Sequence, residues 1–102
     1  MDKELALIAV RKFSDSIRKT LNPVMVVLFG SYATGTQTAS SDIDVAVVVD
    51  GVQGDYLDQE ADLFRIRQTI DDRIEPVLIE HGSDRSGFLQ SILKSGEIVY
   101  RR

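Results

Sequence analysis

A chain of 102 residues with a formal charge of −4, 43% hydrophobic and 27% charged residues and no cysteine can build one packed core of ordinary globular composition. Those numbers exclude an acidic disordered tail, a disulfide framework, a thiolate metal site and a general attraction for duplex nucleic acid. No run approaches the roughly 20 apolar residues that span a bilayer, and Asp2 and Glu4 interrupt the apolar start, unlike a secretory leader. The expectation is a single domain over residues 1–102, in the cytoplasm and away from membranes, with so little surface to spare that a partner completes any elaborate pocket.

From Asp2 to Leu21 the apolar positions Leu5, Ile8, Ala9, Phe13, Ile17 and Leu21 recur at helical spacing, which predicts an amphipathic helix stopped by Asn22 and Pro23. Val24 to Phe29 is a continuous, mostly β-branched apolar run, as in a strand covered on both faces, and it ends at Gly30. Small and hydroxyl residues dominate from Ser31 to Ser41, a short helical turn running into a polar loop. Ile43 to Val49 reads as a second strand, closed by Asp50, Gly51 and Gly54. A second amphipathic helix spans Tyr56 to Asp71, with Leu57, Ala61 and Phe64 and the row Leu63, Ile66 and Ile70.

Ile74 to Ile79 makes a third strand, where Pro76 is tolerable only near the start or on a sheet edge. Phe88, Leu89, Ile92 and Leu93 form a short helical face ending near Ser95 and Gly96, and Ile98 to Tyr100 adds a brief last strand. This order of elements predicts an α/β (α+β) fold, one small mixed sheet with helices packed on one face and the other face free for a site.

Asp42 and Asp44 open the second strand. Residues two apart on a strand project to the same side, so two carboxylates stand within several ångströms of each other and repel. Either one protonates or a cation sits between them, and hard oxygen ligands suit Mg²⁺. Alone, Asp-x-Asp reads more readily as a polar strand start that ends a turn and solvates a sheet edge. The conjunction with Phe29-Gly30-Ser31 shifts the balance. Gly30 follows a buried strand, where a missing Cβ permits close backbone approach to a ligand, and Ser31 offers a hydroxyl and an amide at a helix start. With ten residues between Ser31 and Asp42, phosphate donors at the end of one strand lie beside carboxylates at the start of the next, where a triphosphate and Mg²⁺ would meet.

The string Leu-Phe-Gly-Ser-Tyr-Ala-Thr-Gly (28–35) followed by Ser-Asp-Ile-Asp-Val (41–45) resembles the signature of the DNA polymerase beta nucleotidyltransferase superfamily, and most of all its minimal, stand-alone (MNT) members. The ending Ile-Leu-Lys-Ser-Gly-Glu-Ile-Val-Tyr (92–100) is similar to how those short domains finish. The resemblance implies a mixed sheet, two Mg²⁺ ions and transfer of a nucleoside monophosphate from ATP with release of pyrophosphate. It also implies a third carboxylate on a neighbouring strand, for which Glu75 is in the matching place. A solvated edge residue is the alternative for Glu75, and Asp71, Asp72 and Glu80 are weaker candidates. On this pattern Asp42, Asp44 and Glu75 are the catalytic and metal-binding residues, and Gly30 and Ser31 hold the β and γ phosphates.

The resemblance further implies a partner, a small helical HEPN-type RNase toxin that the domain adenylylates and silences as its antitoxin, within a hetero-oligomer. Two other readings stay open: an antitoxin that acts by binding alone, and transfer to a small-molecule acceptor. One departure bears on this choice, because Thr34 stands where many relatives carry Arg, so a cation facing the triphosphate is missing. Tyr32 and Tyr56 could stack on a base or simply pack, and His81, the only histidine, reads as a surface residue.

Overall fold

A computed structural model describes residues 1–52, 54–83 and 87–102. Helix α1 spans Lys3–Ile17, capped by the Asp2 carboxylate, which accepts from the Leu5 amide at 2.9 Å; this satisfies one of the orphan donors of the first turn. Strand β1 (Met25–Phe29), the four-residue helix α2 (Ser31–Thr34) and strand β2 (Ile43–Val49) follow. Helix α3 (Tyr56–Gln68), strand β3 (Ile74–Glu80), a 3₁₀ turn at His81–Ser83, helix α4 (Phe88–Ser95) and strand β4 (Glu97–Arg101) complete the order. No helix among the described residues is long and apolar enough to cross a membrane.

The four strands form one sheet in the order β3-β2-β1-β4. β1 runs antiparallel to both β2 and β4, while β2 and β3 are parallel and joined by the α3 crossover. The sheet is therefore mixed, as expected. Pro76 settles onto the outer edge of β3. The carbonyls of Ile74 and Leu78 point outward there and accept from Arg67 Nη1 at 2.8 Å and from the Tyr56 hydroxyl at 2.5 Å. Backbone groups alternate sides along a strand, so Pro76, two residues from each, turns its missing N–H to that same edge, where no ladder bond is lost. The opposite edge strand, β4, carries a register shift against Val26 and Val27, a bulge of the kind that discourages edge-to-edge association.

Alternation along the strands builds two apolar layers. Val26, Leu28, Ile43, Val45, Val47, Val49, Ile74 and Leu78 pack with Ala6, Val10, Phe13 and Ile17 of α1 and Leu63 of α3. The other parity, Met25, Val27, Ala46, Val48 and Ile79, packs with Leu89 and Ile92 of α4. Helices α1 and α3 thus cover one face, and α4 lies against part of the face that the sequence left open. Helical periodicity shows that a helix has an apolar stripe but not which side of a sheet receives it. The Asp44 row lies at the end of that face, where α4 reaches Phe29.

Two helical faces differ from expectation. On α1 the buried face is Ala6, Leu7, Ala9, Val10, Phe13, Ser14 and Ile17, while Leu5 is 53% exposed and Ile8 also faces solvent; its fully buried apolar row, Ala6, Val10, Phe13 and Ile17, follows i, i+4, i+7, i+11. The helix also stops at Ile17 instead of Leu21, its last turn closing onto the carbonyls of Ser16 and Ile17. On α3 only Leu63 is fully buried, with Leu57 and Ala61 in solvent, and the helix ends at Gln68.

Candidate active site

The strand β1 delivers the chain to Gly30, whose backbone sits at φ 74°, ψ −153°, a region essentially restricted to glycine. The amides of Ala33 and Thr34 close onto the Gly30 carbonyl at 3.1 and 3.2 Å, which leaves the amides of Ser31 and Tyr32 as the α2 donors without an acceptor inside the helix. What lies against Gly30 is a side chain of the chain itself. A Cβ at this position would stand 2.2 Å from Oδ2 of Asp44 and 3.1 Å from its Cγ. The register that pairs Phe29 with Asp44 therefore requires glycine at the next residue, and the neighbour that the missing Cβ admits is the Asp44 carboxylate.

Asp44 in turn pairs with Glu75 across the parallel β2–β3 ladder. Phe29, Asp44 and Glu75 form one row across three strands, on the face that α4 shares, with Asp42 exposed just before β2 on the same parity. Half-buried Asp44 has its carboxyl pushed above the ordinary value, first by burial and then by the charges of Asp42 and Glu75. Both neighbouring carboxylates therefore act on Asp44, and Gly30 and Ser31 border it. Glu75 has a further contact: its Oε2 lies 3.6 Å from Arg67 Nη1, which also donates to the carbonyls of Asp72 and Ile74 at 3.0 and 2.8 Å. Among the described residues no three acidic or imidazole side chains gather tightly enough to hold a metal ion by themselves.

The other candidates separate. Asp71 is bound by Arg73, which donates to both its oxygens at 3.0 and 2.8 Å; those bonds hold its carboxyl below the usual value, as suits a turn anchor. Glu80 lies at the far end of β3, opposite Val49. His81 is exposed in the 3₁₀ turn. Thr34 turns its hydroxyl back toward the carbonyls of Gly30 and Ser31 at 3.3 and 3.4 Å and supplies no charge. Tyr32 is 1% exposed and belongs to the core, and the Tyr56 hydroxyl is committed to β3. Sequence reasoning missed Arg67, a helix-surface cation whose meeting with Glu75 depends on how α3 docks on the edge strand. It also missed the pairing of Phe29 with Phe88, described below.

The raised Asp44 carboxyl has a signed consequence. In the metal-free protein its ionised form costs stability; that cost is absent below the ordinary value of 3.8, develops as pH rises from there through the raised value, and is constant at neutral pH. Asp44→Asn is therefore expected to be more stable than the wild type at pH 7 in a chelator, with the gain vanishing at about pH 3. Urea titrations at the two pH values check this; a gain that persists in acid would count against it.

A mixed sheet whose β2 opens with a carboxylate pair beside a Gly-Ser turn defines a nucleotidyltransferase-type fold. A family model described as "Polymerase beta, Nucleotidyltransferase" matches residues 11–102, and the chain belongs to that family. Among solved structures it is similar to a Sulfolobus solfataricus protein described as a nucleotidyltransferase, with a TM-score of 0.72 and 17% identity over 98% of this chain and 84% of that one. It is also similar to a chain of a toxin–antitoxin complex with AMP-PNP, at 0.69 and 23% over 94% and 73%. A third likeness, at 0.57 and 20% over 98% and 73%, is to a complex of a tri-AMPylated Shewanella oneidensis HEPN toxin with its MNT antitoxin. At such identities the likeness bears on the fold alone. No curated protein matches the chain at a significant level.

Proposed function

We propose that this chain, as a single nucleotidyltransferase domain, is an antitoxin that transfers AMP from ATP to a hydroxyl of a helical HEPN-type toxin. The observation that carries the reading is the Asp44 carboxylate lying against Gly30, within the field of Asp42 and Glu75. This sets mutually repelling carboxylates beside a turn with open amides, the arrangement a nucleoside triphosphate and its cation need. Two of the solved structures supply the acceptor class, one holding AMP-PNP and one an AMPylated HEPN toxin.

In the reaction, an oxygen of the acceptor bonds to the α-phosphorus of ATP, the bond from that phosphorus to the α,β-bridging oxygen breaks, and pyrophosphate leaves. Ser31 and the first amides of α2 orient the β and γ phosphates in line. Asp42 and Asp44 would hold Mg²⁺, with Glu75 joining them for a second ion. The donor set fits, because Mg²⁺ is usually bound by one or two carboxylates plus substrate phosphates and water instead of an all-protein cage. When bound, the ions neutralise charge on the triphosphate and acidify the attacking hydroxyl. Glu75 would take the hydroxyl proton once its carboxylate turns from Arg67.

Incubation of the chain with ATP, Mg²⁺ and a HEPN-type partner, followed by intact-mass spectrometry, tests the reading; the expected product is the partner carrying one or more AMP groups. The binding-only alternative draws on two observations, the uncharged Thr34 and the engagement of Glu75 by Arg67. A partner that is fully inhibited yet unmodified would establish that alternative instead.

A further inference from the structure

The row across the sheet has an aromatic end. Phe29 shares its face with Asp44 and Glu75, and its ring meets that of Phe88 edge to face, with centroids 5.9 Å apart and planes at 89°. Phe88 opens α4. Its neighbours on the same helical face, Leu89 and Ile92, are buried against the sheet, yet Phe88 remains 41% exposed. A large apolar ring is thus partly open to solvent, set against the ring of the residue that pairs with Asp44.

The order of groups along the row says which substrate moiety would meet it. Gly30 and Ser31, the phosphate turn, continue directly from Phe29 on β1; Glu75, the carboxylate placed to serve the attacking hydroxyl, is on β3, two strands away. On that order the acceptor would enter from the β3 side, which leaves the β1 and α4 side, where Phe29 and Phe88 meet, to the nucleoside. The two tyrosines that could have served a base are elsewhere. Tyr32 is in the core, and Tyr56 is fixed to the Leu78 carbonyl, four residues along β3 from the ladder partner of Ile43.

We propose that Phe88, held in place by Phe29, is the platform on which the nucleobase of the bound triphosphate stacks. The inference rests on the nucleotidyl-transfer reading and deepens it by assigning the base subsite. Stacking uses the π-face that every base presents, and a purine presents the larger one. The subsite therefore favours purine nucleoside triphosphates through ring area, with hydrogen-bond readout of the base playing no part in it.

The test compares ATP with inorganic tripolyphosphate, which offers the phosphates without a base, in calorimetric titrations containing Mg²⁺. Phe88→Leu keeps apolar packing on Phe29 but removes the aromatic face, so ATP affinity is expected to fall about 5- to 150-fold, while tripolyphosphate affinity stays within about twofold of the wild type. Phe88→Trp restores ATP affinity, and because the chain contains no other tryptophan, its fluorescence reports the contact: quenched by ATP, unchanged by tripolyphosphate. Unaltered ATP affinity in Phe88→Leu, or an equal loss for both compounds, would overturn the stacking assignment while leaving the phosphate site standing. Failure of the wild-type chain to bind either compound would instead overturn the nucleotide site and the base subsite with it.

Discussion

Alanine at Asp42 or Asp44 is expected to lower AMP transfer by at least about 10³-fold, since the interaction lost is several kcal/mol of charge stabilisation in the transition state and each 1.36 kcal/mol is a factor of ten. The fold should survive. Asp42 is exposed, and Asp44 in its ionised form is a cost to the metal-free protein because burial and two neighbouring carboxylates disfavour its charge. Thermal melts of both variants in a chelator should therefore match or exceed the wild-type midpoint while the transfer rate collapses. Undiminished transfer by either variant would remove that aspartate from the chemistry, and loss of folding would make it a structural residue.

Gly30→Ala is expected to damage both fold and activity. A methyl group there would stand 2.2 Å from the Asp44 carboxylate, and the backbone at φ 74°, ψ −153° is one that an L side chain occupies only at a cost of about 1–3 kcal/mol. One of two neighbours must move, and a displacement of a catalytic group by about 1 Å can cost about 10²-fold in rate. The expected result is a loss of about 1–3 kcal/mol in urea denaturation together with transfer reduced by about 10²-fold or more. The two contributions separate in a double-mutant comparison: in an Asp44→Ala background the carboxylate is gone, so Gly30→Ala should destabilise less than in the wild type. Equal destabilisation in both backgrounds would show that backbone strain alone is responsible and that the Gly30–Asp44 contact does not matter.

The parts of this architecture that were legible in the sequence are those set by short-range rules. The strands β1, β2 and β3 announced themselves as apolar β-branched runs, the parity of Asp42 and Asp44 followed from alternation, and Pro76 could be assigned to an edge because it lacks a donor. What was not legible depends on register and docking. That Asp44 faces Gly30 follows from the pairing of Phe29 with Asp44 in the antiparallel ladder, and no local pattern encodes which residues pair. The engagement of Glu75 by Arg67 needs α3 to lie along β3, and the position of α4 on the opposite face from α1 and α3 needs the chain to cross the sheet after β3. The apolar stripe of α1 was assigned partly to Leu5 and Ile8 because both satisfy helical spacing; Ala6 and Val10 are the residues fully buried against the sheet instead.

On the proposed function, ATP breaks between the α and β phosphates and the α side passes to a protein. Parallel reactions with α-labelled and γ-labelled ATP, Mg²⁺ and a HEPN-type partner decide the matter. Label should reach the partner only from the α position, with pyrophosphate released and no labelled partner in the presence of the Asp44→Ala variant; a partner labelled from the γ position, or an inhibited partner labelled from neither, would rule AMP transfer out.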